Sequence, residues 1–150
     1  MMVFSVMRKS SLWFSALMLL LVTYVGFTFI PREGTNQRVE KEIRDFPDGP
    51  TARRVMMVRL PDGRDLPVNY LVEGDIAFIG VDGFWWRQFK GDGKPVRMFI
   101  RGESLPGHAT VILDRPDYVA EVFKRLRPKV PSWLPSWLNG KLVVIELSKD

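Results

Sequence analysis

The chain has 150 residues, no cysteine, a single histidine and a formal net charge of +5. Without cysteine it can form no disulfide, use no thiol nucleophile and offer no thiolate to a metal, and one histidine argues against a histidine-rich metal site. The positive excess suits an anionic lipid, a phosphorylated cofactor or nucleic acid; with no Lys/Arg block and no nucleic-acid-binding motif, nucleic acid is set aside.

In chain order, the first element is Leu12–Ile30 (LWFSALMLLLVTYVGFTFI), an uncharged run with Arg8 and Lys9 before it and Pro31, Arg32 and Glu33 after it. A helix needs roughly 20 mostly apolar residues to cross the hydrocarbon core, and this run has that length. A cleaved signal peptide has an apolar region of only about 7–15 residues, ending in a small-x-small site. Here the run is longer, and its end from Gly26 to Ile30 offers no such site. Residues 1–30 therefore read as an N-terminal tail and an uncleaved transmembrane anchor helix, which makes membrane lipid a partner. Arg8 and Lys9 on one side nearly balance Arg32, Arg38, Lys41 and Arg44 on the other, the latter diluted by Glu33, Glu40, Glu42 and Asp45. The positive-inside rule thus leaves open which side the remainder occupies.

Residues 31–50 are charged, poor in large apolar residues and bounded by prolines. They read as a linker with helical character around Asn36–Arg44. Residues 51–150 read as one small domain. Arg54–Leu60 and Leu66–Val72 are strands joined at Pro61-Asp62-Gly63, a strong turn signal, and form a hairpin. A second turn at Glu73–Asp75 leads to a strand at Ile76–Val81. Lys94–Ile100 alternates apolar and polar residues as a half-buried strand does. Arg101 and Gly102 turn it back into a long strand over Glu103–Leu113. Pro116–Leu126 is a helix with Asp114 as N-cap, Pro116 early, and Val119, Val122, Phe123 and Leu126 on one face. Leu142–Leu147 closes the domain as a strand. The fold class is α+β, mainly β: a small six-stranded barrel carrying one late helix, closed so that no strand edge is left exposed.

Three patches could carry chemistry. Gly83–Lys90 (GFWWRQFK) sets Trp85 and Trp86 beside Arg87 and Lys90; a tryptophan can stack on a planar ring and a cation can neutralise a phosphate. The plainer alternative is that one tryptophan fills the barrel mouth and the other covers its end. The arginines Arg53, Arg54, Arg59, Arg64 and Arg97 could line one face with the planar fork that phosphate favours, or lie singly in solvent. Trp133 and Trp137, in a proline-rich loop, could dip into a bilayer interface, cover a ligand or pack on the barrel. His108, within a strand, reads as a surface or hydrogen-bonded residue rather than a catalyst. No Ser/His/Asp set, carboxylate pair or phosphate-cradling glycine loop is present, so no catalytic residue is assigned, and no metal site.

The order of these pieces resembles the deazaflavin-dependent nitroreductase family of the flavin-binding split β-barrel group. The segments that carry the resemblance are Pro67–Tyr70 with Glu73–Asp75, Phe84–Lys90 (similar to the family's W-Y-x-N-L-K), Pro95–Met98, and then the Ala109–Leu113 strand, the Pro116–Leu126 helix and the Val143–Leu147 strand. The resemblance covers Arg54–Lys149. It implies a split barrel that binds the deazaflavin F420 or FMN and passes a hydride to a quinone, a nitroaromatic or a similar small acceptor, often as a homodimer. It implies cofactor contacts at Arg64, Trp85, Trp86, Arg87, Gln88 and Lys90, with the tryptophans bordering the ring and Arg64, Arg87 and Lys90 near the tail phosphate. The first hairpin departs from the family pattern. Where members carry a G-R-K-S-G-like turn, this chain has Asp62-Gly63-Arg64-Asp65-Leu66: Arg64 stands at the motif's arginine, the Lys-Ser-Gly is missing, and Asp65 adds negative charge.

Two readings follow. The first is a membrane-anchored flavin- or deazaflavin-dependent oxidoreductase. The alternative is a non-catalytic, membrane-anchored barrel that has lost its cofactor and serves protein or lipid interaction. A weaker third is a haem or lipid binder, for which His108 is the one available axial histidine.

Overall fold

In the computed structural model, which describes residues 18–20, 33–131 and 140–148, six antiparallel strands close on themselves. They are β1 (Val55–Arg59), β2 (Asp65–Glu73), β3 (Ile76–Val81), β4 (Lys94–Ile100), β5 (Glu103–Ile112) and β6 (Lys141–Leu147). Their order around the barrel is β1-β2-β3-β6-β5-β4, and β4 returns to pair with β1. Helix α1 (Glu33–Asp45) precedes the strands, a 3-10 turn (Trp85–Phe89) joins β3 to β4, and α2 (Pro116–Leu126) joins β5 to β6. The barrel belongs to a compact unit spanning Asn36–Asp150.

Alternation along the strands fills the interior. In β4, Val96 and Met98 are buried while Lys94 and Arg97 face water. Met56, Val58, Val68, Ala77, Ile79, Ala109, Val111, Val143 and Ile145 join them in one apolar cluster. Phe89, fully buried at the end of the 3-10 turn, belongs to the same cluster. The connections are tight where the sequence supplies the right residues. Leu60 N–H donates to Arg64 C=O at 2.8 Å across the β1–β2 loop, and Gly63 takes the positive φ (+85°) that this loop needs. Arg101 and Gly102 both have positive φ, as the shortest hairpins require, with a non-glycine residue accepting the strain at Arg101.

Helix α2 lies on the outer surface, where Val122 and Phe123 are buried against Phe78 and Leu142. Its entry differs from expectation. Arg115, not Asp114, occupies the N-cap, and no side chain caps the helix there; Pro116 in the first turn removes one of the donors a cap would serve. Gly80 lets the end of α2 approach the sheet: an added Cβ would lie 2.8 Å from both Arg127 Nη2 and Phe123 Cε1.

The charged stretch before the barrel is helical over Glu33–Asp45. Its one fully buried side chain, Ile43, sits with Ala52 and Met57, flanked by Val39, Val55 and Phe99. Burying an isoleucine side chain contributes about 1.5–3 kcal/mol. Arg44 covers the Phe99 ring at 4.9 Å and pairs with Glu40 at 2.9 Å. Residues 36–45 are thus seated on β1 and β4.

The span expected at Leu12–Ile30 lies outside the described residues except for Met18–Leu20, which are helical. Among the described residues no helix is long and apolar enough to cross a membrane. Trp133 and Trp137 also lie outside the described residues.

Candidate functional site

Of the six residues implicated from sequence, five come from one short segment, and the sixth, Arg64, lies in a neighbouring loop that is joined to it through Asp62. Gly83, with φ of +101°, turns the chain at the end of β3, and the 3-10 turn that follows points Phe89 into the barrel. Trp85 stands edge-on to Phe89, with ring centroids 6.0 Å apart and planes at 82°. Both tryptophans are half-buried and pack against the interior cluster. The choice between core plug and surface platform is therefore divided among three rings. Phe89 is the plug, Trp85 leans on it, and Trp86 is the ring gathered among cations.

The Trp86 ring has Lys90 Nζ at 5.2 Å, Arg87 Cζ at 5.9 Å and Lys141 Nζ at 6.0 Å. Arg87 also lies over Phe84, at 4.7 Å, and Phe84 is 73% exposed. None of the three cations pairs with a carboxylate among the described residues. Three positive charges around one aromatic ring repel one another and are held by the ring quadrupole and by solvent. Each of the three is a positive charge next to the ring on which an anion could be held. Lys141, the first residue of β6, was not singled out from sequence. It is some fifty positions from Arg87, and only the pairing of β3 with β6, which sets Val81 opposite Lys141, brings it here.

Arg64 has a different setting. Its guanidinium closes on Asp62, with Nε–Oδ2 at 3.0 Å and Nη2–Oδ2 at 2.7 Å, and its backbone N–H donates to Asp62 Oδ1 at 3.1 Å. Gln88 Nε2 donates to the same Asp62 carboxylate at 3.1 Å, so the β1–β2 loop and the 3-10 turn are joined through one acidic side chain. The hydrogen bonds from Arg64 are the main reason the Asp62 carboxyl is held down to about 2, with a smaller part from Gln88. Asp65, the negative charge that departs from the family turn, is held by Arg59 through Nε–Oδ1 at 2.8 Å and Nη2–Oδ2 at 2.6 Å, which lowers its pKa as well. Both acidic residues of the loop thus have their own arginine.

The residues present fit a phosphate at Arg87, Lys90 and Lys141, whose charges have no carboxylate partner among the described residues. They do not fit one at Arg64, whose fork is already filled by Asp62. None of the six residues lines either of two surface concavities. The larger, about 750 Å³, lies between β2 and the end of α2, lined by Arg54, Asn69, Tyr70, Asp82 and Arg125–Val130. There Arg127 holds Asp82 at 2.8 Å and Arg125 pairs with Glu73. The smaller, about 420 Å³, lies over β1, β4 and β5. His108 is exposed, with Nε2 2.5 Å from Asp92 C=O. Among the described residues no group of three or more His, Cys, Asp or Glu side chains could hold a metal ion.

No protein-family model matches the chain, and no curated protein matches it. Among solved structures, a "putative 5-nitroimidazole antibiotic resistance protein" from Bacteroides thetaiotaomicron is similar at 14% identity, over 75% of this chain and 80% of that one, with a TM-score of 0.40.

Proposed function

We propose that the barrel binds a flavin-type cofactor, F420 or FMN, and serves hydride transfer to a small, lipid-soluble acceptor such as a quinone or a nitroaromatic, beside a membrane to which Leu12–Ile30 anchors it. The observation that carries this reading is the uncompensated set of Arg87, Lys90 and Lys141 around Trp86. Such a cofactor supplies the two-electron chemistry itself, so the protein has only to bind and orient it, and needs neither a thiol nor a histidine-based triad. Arg87, Lys90 and Lys141 would hold the tail phosphate, and Trp85 and Trp86 would border the ring. Arg64 takes no part while Asp62 holds it.

The test is an absorbance and fluorescence spectrum of the full chain purified in mild detergent, followed by titration with FMN and with F420. Saturable binding that weakens by about tenfold or more in Arg87→Ala/Lys90→Ala is expected, since each charge-assisted bond to phosphate is worth roughly 1.5–3 kcal/mol. Binding of neither cofactor, or an affinity indifferent to that double substitution, would remove the proposal.

The Arg64–Asp62 pair favours a second reading, a barrel without a cofactor that serves protein or lipid interaction. The loop that lacks the Lys-Ser-Gly of the cofactor-binding turn also closes its arginine on Asp62. Recovery of stoichiometric flavin after gentle purification would exclude this alternative.

A further inference from the structure

The register of β1 and β4 sets two arginines side by side. Arg59 on β1 is directly opposite Arg97 on β4, and both side chains point to solvent. Like charges directly opposite on neighbouring strands destabilise a sheet. One of the two is relieved: Asp65, opposite Arg59 on its other flank, pairs with it at 2.6 Å. Arg97 is opposite Pro106 on its other flank and has no ion-pair partner among the described residues.

These two arginines line the 420 Å³ groove together with Pro95, Pro106, His108 and Ser148, and with Leu60, Val96 and Gly107, which are buried. No carboxylate lines it. The nearest acid in register on the far side is Glu146, opposite His108 on β6, and it is not among the lining residues. Pro95 and Pro106 present pyrrolidine rings that no hydrogen bond requires. The groove therefore combines guanidinium forks, a serine hydroxyl and apolar walls. Its volume exceeds that of a bare oxyanion and lies within the usual range of small-molecule sites, roughly 300–1,000 Å³.

We propose that this groove binds a phosphate monoester. A doubly charged tetrahedral group with three acceptor oxygens can take the open Arg97 fork on two of them and keep a third for a neighbouring donor, which a single carboxylate cannot. The organic part rests against Pro95 and Pro106. Arg59 keeps Asp65, which fills its fork, so Arg97 supplies the charge that the phosphate answers. None of the groove's residues belongs to the aromatic patch at Trp86, so the two sites bind independently.

The probe is phenyl phosphate, titrated calorimetrically into the full chain reconstituted in phosphatidylcholine nanodiscs. Saturable binding is expected, weakened about tenfold by Arg97→Ala, in line with loss of a charge-assisted bond, and unchanged by Arg87→Ala/Lys90→Ala. Arg97 is exposed and stands opposite a like charge, so the variant should unfold at the wild-type temperature or slightly above it, and the melt verifies this. Adding phosphatidic acid to the nanodiscs distinguishes the source of the ligand. Weaker phenyl phosphate binding in its presence means that a lipid headgroup reaches the groove, and unchanged binding means a soluble monoester. No saturable binding of phenyl phosphate, or binding equal in Arg97→Ala and wild type, would overturn the proposal.

Discussion

Gly107→Ala places one methyl group in the most crowded part of the barrel. The backbone of Gly107 is ordinary strand, so alanine incurs no φ strain. It should even gain about 0.5–1 kcal/mol from the lower entropy of the unfolded chain. Against this, the new Cβ would lie 2.7 Å from Ile145 Cγ2, 2.8 Å from Met98 Cε and 2.9 Å from the Glu146 carbonyl oxygen. The end of Met98 can swing aside. Ile145 is fully buried with no vacant direction, and the Glu146 backbone is fixed in the β5–β6 pairing. Overpacking of this kind costs about 1–3 kcal/mol, which at the middle of the range exceeds the entropic gain and leaves a net loss of about 1 kcal/mol. For a domain of this size that lowers Tm by about 4–8 °C. Thermal unfolding followed by circular dichroism in mild detergent measures it, with Gly34→Ala as the control, since nothing lies within 4 Å of a Cβ there. A Tm for Gly107→Ala equal to or above that of the wild type would show that the strand pair can open at no cost, and the reasoning from close packing would fail.

Ile43→Ala should destabilise the barrel by about 2–4 kcal/mol, read as a lower urea midpoint at unchanged slope, because Ile43 is fully buried against Ala52 and Met57. The Asp62 carboxyl should titrate near 2 in a carbon-detected NMR series, and an ordinary carboxylate value would refute the Arg64 pairing. Since the folded-state value lies below the unfolded one, the stabilisation from this pair is complete above the usual carboxylate range and is lost as pH falls through about 2; Asp65 is depressed in the same direction by Arg59. Asp62→Asn should release Arg64 and tighten FMN or F420 binding several-fold, whereas an unchanged or weaker affinity would mean that Arg64 lies out of reach of the bound phosphate.

Much of the barrel was legible because its strands alternate and its turns are marked by Pro, Gly and Asp. The expected strands at Ile76–Val81 and Lys94–Ile100 and the helix at Pro116–Leu126 coincide with β3, β4 and α2, and the other strands shift by a residue or so at their ends. The N-cap was misplaced because Asp114 is a good capping residue by type, yet the chain turns one residue later. The segment Trp85–Lys90 was recognisable from its composition, but the division of labour among its rings was not. Phe89 and Trp86 look alike in sequence, and only the direction of a 3-10 turn sends one inward. Long-range features were illegible in principle. Lys141 joins Trp86, and Arg59 meets Arg97, only through strand register, which depends on the closed topology and not on any local pattern. The pairing of Asp62 with Arg64, by contrast, spans two residues and could have been anticipated from the turn.

The seating of α1 bears on how the protein can be cut. A barrel expressed from Thr51 onward begins where the strand-rich sequence begins, but it loses Ile43 and Val39 and leaves Ala52, Met57, Val55 and Phe99 facing water. Such a fragment would carry a fresh apolar surface beside β1 and should self-associate. Fragments meant for crystallisation or fusion should therefore retain the chain from Asn36, and a protease that nicks between Asp45 and Thr51 should leave a helix that stays bound until the barrel itself unfolds.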